Sequence, residues 1–385
     1  MQIQEDLKSF LEQRQESAIN FLKELVNTDS SAGEKHSVDE VGELIRQRLS
    51  VESVDYEVRQ SDDYGDTIIA RIAGKRPGKI LLMGHMDTAF PLGTVKERPF
   101  SQDGNLLRGP GVSDMKSGLV TMMEAVIALK ELASDTICDI ELLFTPDEEI
   151  GSPHSRELIQ ELAADALAVF NLEPGRPDGS IVTARKGSAH HKITVEGKAA
   201  HSGAFIENGI SANDELALKM IEIKKLMDIE KGITINFGKI EGGIGNNVVS
   251  PSATATIHLA FWTLEHYEQT VKAIQKVVDH SFVPGSKSTL SGKIGMLPME
   301  KTAGVGLLFS AVREAGEMIG YEVTEQRTKG AADAGFTASL GIPTICGMGP
   351  VGGNWHGVDE YMELDTFCPR TLLLATSILQ YLQQD

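Results

Sequence analysis

The chain has 385 residues, 41% of them hydrophobic and 24% charged, so it can bury a large core without disulfide staples and is long enough for two or three domains. Its formal net charge of −19 excludes a nucleic-acid partner, because phosphate binding requires a basic surface. No stretch approaches about 18 consecutive apolar residues, which excludes a membrane span, and three sparse cysteines fit a reducing compartment, so the chain reads as soluble and cytoplasmic.

In chain order, residues 1–26 form an amphipathic helix that lacks the basic and apolar regions of a signal peptide. Residues 80–83, Ile-Leu-Leu-Met, predict a buried strand, and Gly84-His85-Met86-Asp87 follow it directly. "GPGVSDMKSG" (109–118) is a tight loop that carries Asp114 up to a helix at 115–133. That helix is apolar all round, and Asp114 by itself reads first as its N-cap. A second strand, 141–144, leads into "TPDEEIGS" with Asp147, Glu148 and Glu149. A third, 166–170, leads into "NLEPG" with Glu173.

Residues 180–293 change character. The segments 190–197 and 254–262 alternate polar and apolar residues, as strands with one exposed face do. Thr254, Thr256, His258 and Ala260 share one face of the second, and Ala255, Ile257, Leu259 and Phe261 the other. Helical patterns at 211–228 and 264–280 accompany them, with a glycine-rich loop at 239–247. This predicts a smaller α+β domain inserted into the first, with 283–292 as the return linker. The fourth apolar run, 343–346, then leads into "GMGPVGGNWHGVDE" with His356.

Strands alternating with helices predict an α/β domain with a mostly parallel sheet, covering 1–179 and 294–385 around the insertion at 180–293. The carboxyl ends of parallel strands share one edge, where ligands bind. His85, Glu148, Glu149, Glu173 and His356 are therefore expected to converge. Each motif alone is as readily a plain turn. Together they are a mixed nitrogen and oxygen set suited to Zn²⁺ and tolerant of Co²⁺ or Mn²⁺.

The segments "GHMDT", "GPGVSDMKSG", "TPDEEIGS", "NLEPG", "GKAAHSG" and "NWHGVDEY", in that order, resemble the M20 metallopeptidases, above all their glutamate carboxypeptidase-like and peptidase T-like branch. The resemblance implies a zinc-peptidase-like catalytic domain and a ferredoxin-like lid through which two copies form a homodimer. It implies a dizinc exopeptidase acting on small peptides or C-terminal amino acids through a metal-bridging water, or alternatively an N-acyl amino-acid deacylase with the same mechanism. His85 and Glu173 would hold one zinc ion, Glu149 and His356 the other, and Asp114 would bridge them through a segment whose Asp114–Met115 bond is cis. Asp87 would orient His85, and Glu148 would be the general base. His201, in "KAAHSG", would support the oxyanion from the partner subunit, and Asn247 would contact substrate. One departure stands out. Thirteen positions after Asn247, where the carboxypeptidase pattern carries an arginine for the substrate carboxylate, this chain has Ala260. Arg327 and Lys329, in "EQRTKGAAD", or Arg185 and Lys186, in "TARKGS", are candidates to replace it and are equally readable as surface charge.

Overall fold

Strands without a polar face must be covered on both sides, and four such strands form the centre of an eight-stranded sheet. Asp139–Thr145, Lys79–His85, Ala168–Asn171 and Thr344–Cys346 lie side by side in that order and pair in parallel. From Ile80 to His85 every residue is buried. Their four carboxyl ends therefore lie on one edge. The flanks run the other way: Thr67–Ile72 and then Asp55–Arg59 extend the sheet antiparallel on one side, and Ile181–Arg185 is antiparallel on the other, beside Glu325–Thr328. The apolar runs of the sequence identify the four central strands. Strands with exposed positions, such as 55–59, lack that signal.

The computed structural model describes residues 2–384, which cluster into two units: 2–184 with 301–328 and 332–384, and 185–300 with 329–331. In the first unit the helix Ser117–Ala133 is buried at every position from Ser117 to Leu129. Gln2–Val26 and Phe367–Tyr381 pack against it. Gly118 makes its placement possible, since a Cβ there would stand 2.0 Å from the Leu172 carbonyl oxygen. The helix start, with Asp114 just upstream, is thereby held at the end of the 168–171 strand.

The second unit follows the order strand, helix, strand, strand, helix, strand: Gly187–Glu196, Ala212–Lys224, Thr234–Gly242, Ser252–Phe261, Leu264–Asp279 and Lys287–Met296. Its four strands form one antiparallel sheet, and both helices pack on it. Ala255, Ile257, Leu259 and Phe261 are buried, as the alternation requires. Residues 283–292 are not a return linker. Pro284 and Gly285 belong to a short turn, and Lys287–Met296 is an edge strand paired along the 187–196 strand. An edge strand needs only one covered face, so its serines, lysines and glycines look like a linker in sequence. Residues 239–242 likewise belong to a strand and not to a loop. Glu215 and Lys219 form a fully buried ion pair at 2.6 Å. Lys219 Nζ also donates to the carbonyls of Val277 and Val278 at 3.1 and 2.9 Å, and Glu215 accepts the N–H groups of Phe282 and Val283 at 2.9 and 2.6 Å. The pair ties the end of the second helix to the first.

Among the described residues no helix is long and apolar enough to cross a membrane. Cys138 and Cys346 are buried, Cys368 is half-buried, and all three are free thiols.

Candidate metal centre

The parallel edge of the large sheet gathers the acid and histidine motifs. His85 is the last residue of its strand. Glu148 and Glu149 start the 3-10 turn Glu148–Ile150 beyond 139–145, and Glu173 lies two residues past Asn171. Asp114 sits in the turn Val112–Lys116, where its bond to Met115 is cis. It does not cap the helix that follows, which has no side-chain cap. His356 comes from the loop after 344–346 and takes a left-handed backbone, φ 60°, as does Asn354 at φ 56°. Asparagine and histidine tolerate that region better than most residues.

The carboxylate of Asp114 faces two imidazoles. Its Oδ1 lies 3.2 Å from His85 Nε2 and its Oδ2 3.3 Å from His356 Nε2. Glu173 Oε1 is 3.8 Å from His85 Nε2, and Glu149 Oε2 is 3.2 Å from His356 Nε2. Ligand atoms of His85, Asp114 and Glu149 all lie within 4.8 Å of one another. Burial opposes a charge on His85, but hydrogen bonds to Asp114 and Asp87 outweigh it and raise its pKa well above the usual range. Hydrogen bonds to Asp114 and Glu149 push His356 up to about 10. Burial would raise Asp114, yet the two histidines hold it well below the carboxylate range.

Glu149 Oε1 is buried with no hydrogen-bond partner. A bare buried carboxylate oxygen is costly, and a cation satisfies it. With imidazole nitrogens and further carboxylates beside it, the residues present fit a divalent cation, which on binding would displace the protons the imidazoles hold.

Asp87 lies between His85 and the turn at 148–150. His85 Nδ1 lies 2.9 Å from the main-chain carbonyl of Asp87 and 3.4 Å from its carboxylate. That carboxylate, fully buried, accepts the N–H groups of Glu148 and Glu149 at 3.1 and 3.0 Å. Asp147 is a second anchor of the same turn, accepting from the N–H groups of His154 and Ser155 at 2.6 and 3.2 Å. Burial pushes Glu148 well above the ordinary carboxyl range; His85 opposes this, and Glu173, Asp333 and Glu149 add to it.

Sequence reasoning missed two buried acids. Ser152 donates a hydrogen bond to Asp333, whose carboxyl burial pushes up to about 7. Glu360 accepts three main-chain N–H groups from the Asp114 turn. Burial pushes Glu360 up to about 7 although those donors favour its anion. Both stand inside segments quoted above, "NWHGVDEY" and "EQRTKGAAD", but nothing local gives them a role, because their partners lie 181 to 249 positions away.

In the second unit, His201 and Asn247 are brought together: Val248 bridges His201, and Ser202 N–H donates to the Asn247 carbonyl at 2.9 Å. His201 is exposed, and its Nδ1 accepts N–H groups from Gly203 and Ala204, both at 3.2 Å. Nδ1 is thus an acceptor, and Nε2 is left to carry the donor proton. Arg327 lies in the 325–328 strand of the first unit and is exposed; Lys329 is exposed in the second. Arg185 donates to the carbonyls of Gly330 and Ala331, and Lys186 is buried with its Nζ 5.4 Å from the Trp262 ring centroid. Ala260 lies on the polar sheet face with His258. There His258 is paired in register with His190, ring centroids 5.2 Å apart.

Residues 81–380 match the sequence model of Peptidase family M20/M25/M40. Carboxypeptidase G2 of Pseudomonas sp. (strain RS-16) is 29% identical over 95% of this chain and 89% of its own length. Succinyl-diaminopimelate desuccinylase of Variovorax paradoxus is 26% identical over 77% of this chain and 80% of its own. The fold matches that of a dinuclear metal-binding peptidase of the M20 family from Bacillus subtilis, with a TM-score of 0.72 at 16% identity, covering 97% of this chain and all of that one.

Proposed function

The chain belongs to peptidase family M20/M25/M40, and from that premise we propose that it is an exopeptidase working with two divalent ions, Zn²⁺ by donor chemistry and Co²⁺ or Mn²⁺ as substitutes. It is a hydrolase of peptide or amide bonds. The observation that carries the two-ion reading is the placement of the Asp114 oxygens, 3.2 Å from His85 and 3.3 Å from His356. In this reading His85 and Glu173 would hold one ion, Glu149 and His356 would hold the other, and Asp114 would serve both. When bound, such a pair supplies Lewis-acid polarisation of a carbonyl and lowers the pKa of water toward about 7.

The remaining work falls to side chains. Glu148 takes a proton from the attacking water and delivers it to the leaving nitrogen as the C–N bond breaks. Its raised proton affinity suits a group that must hold that proton between the two steps. Asp87 fixes the turn that carries Glu148. His201 donates from Nε2 to the oxyanion. Asn247, Lys329 and Arg327 are the proposed substrate contacts.

We assign His201 to the partner subunit's site in a homodimer. The contact surface would be the groove between the 212–224 helix and the 234–242 strand, about 880 Å³ and lined by Leu216, Met220, Ile221, Phe237 and Ile240. Ile221 and Ile240 are each more than half exposed. The strand is a sheet edge, so its free backbone groups can pair with the same strand of a second copy. Three free cysteines fit a cytoplasmic setting.

Deacylation of N-acyl amino acids is the second reading. It is favoured by Ala260, which offers no cation on the polar face for a peptide carboxylate. Assays of dipeptides, tripeptides and N-acyl amino acids with Zn²⁺- or Co²⁺-loaded protein separate the two. Release of free amino acids from peptides is expected. Release of acetate or succinate alone would replace the peptidase by the deacylase.

A further inference from the structure

Two loops far apart in sequence each bring one side chain to the centre: 109–116 brings Asp114, and 354–360 brings His356. Glu360 joins them. It lies four residues after His356 and is 1% exposed. Its Oε1 accepts the N–H groups of Ser113 and Asp114, both at 2.9 Å, and its Oε2 accepts that of Gly111 at 3.1 Å. Trp355 Nε1 adds a bond to Ser113 Oγ at 3.1 Å. One of the three donors is the backbone of Asp114 itself. The same carboxylate therefore holds the main chain of the residue facing both imidazoles and shares a short loop with one of them.

We infer that Glu360 is a positioning residue for the metal centre: its carboxylate sets the Asp114 turn so that both Asp114 oxygens face their histidines. The inference rests on the reading of Asp114 as a bridging ligand. Both Glu360 oxygens accept N–H groups, so a glutamine amide in either orientation turns an NH₂ against a main-chain donor. An isosteric change is thus expected to disrupt the turn. Aspartate keeps the charge and both acceptors but is one methylene shorter.

The test titrates Co²⁺ alone into wild type, Glu360→Gln, Glu360→Asp and Asp114→Asn. It follows the visible absorption of the bound ion and its dissociation constant, with circular dichroism and thermal unfolding in parallel. Glu360→Gln is expected to fold, to bind Co²⁺ about 10- to 100-fold more weakly with an altered spectrum, and to lose kcat more than it changes KM. Glu360→Asp is expected to recover part of the affinity. Wild-type affinity and spectrum in folded Glu360→Gln would overturn the inference. If Glu360→Gln does not fold, Trp355→Phe removes a single bond to the same turn; a several-fold loss of affinity supports the inference and an unchanged one overturns it. Asp114→Asn separates the two layers. If it loses Co²⁺ while Glu360→Gln does not, the positioning role alone fails. If it binds like wild type, the bridging reading fails and takes this inference with it.

Discussion

Asp87 Oδ1 accepts the main-chain N–H of Glu148 at 3.1 Å, and its Oδ2 accepts that of Glu149 at 3.0 Å. The residue beside His85 therefore also holds the turn that presents the proposed base and a proposed ligand. Asp87→Asn leaves one N–H facing an NH₂ group. We expect kcat per bound metal to fall about 10- to 100-fold. A residue acting through His85 alone would lower metal content and leave kcat per bound metal intact. Elemental analysis combined with steady-state kinetics distinguishes the two.

Glu148→Ala is expected to retain metal and lose about 10²- to 10⁴-fold in kcat, the range for a general acid–base group. His85→Ala is expected to lose metal, because its Nε2 faces both Asp114 and Glu173. Metal occupancy of the two purified variants checks the division of labour, and equal losses in both would contradict it.

His201→Ala is expected to keep its metal and lose about 10²- to 10³-fold in kcat, as when one oxyanion donor is removed. Mixing this variant with Glu148→Ala tests the subunit assignment. If His201 serves the partner's site, a mixed dimer contains one site with both residues intact. Refolding the two variants together should then restore roughly a quarter of wild-type activity by random pairing of a two-fold dimer. If the mixture stays inactive, or if the active protein sediments as a monomer, His201 does not act across subunits.

Lys219→Met breaks a fully buried pair and leaves Glu215 charged without its partner. The expected loss of stability is about 3–5 kcal/mol, measured by urea unfolding. The pH dependence has a definite sign. Burial would raise the Glu215 carboxyl, but the hydrogen bond from Lys219 and the N–H groups of Val283 and Phe282 hold it below its ordinary value of 4.5. Its contribution is then complete above that value and lost as pH falls through the lower folded value. Wild type should lose stability in that acid window, and the part due to Glu215 should be missing in Glu215→Gln.

Much of the larger unit was legible because its signals are local. The central strands are short apolar runs, and His85, Glu148, Glu149 and Glu173 stand within a few residues of their ends. The flanking strands 55–59 and 325–328 were not legible, since half-exposed strands carry no unbroken apolar pattern. The strand 287–296 was misread for a related reason: edge pairing covers its backbone and leaves its composition looking like a linker.

From sequence alone came the kinds of side chain at the strand ends, the buried helix behind them and the alternating faces of the smaller sheet. All of these are set within a turn or two of chain. Strand order, register and long-range hydrogen bonds came only with the tertiary structure. These place 139–145 beside 79–85, set His190 against His258, and put Glu360 under a turn that begins 249 residues earlier. The physical reason is that a main-chain N–H is the same group at every position. Which carboxylate it meets depends on where the chain returns, and that is decided by packing of the whole sheet.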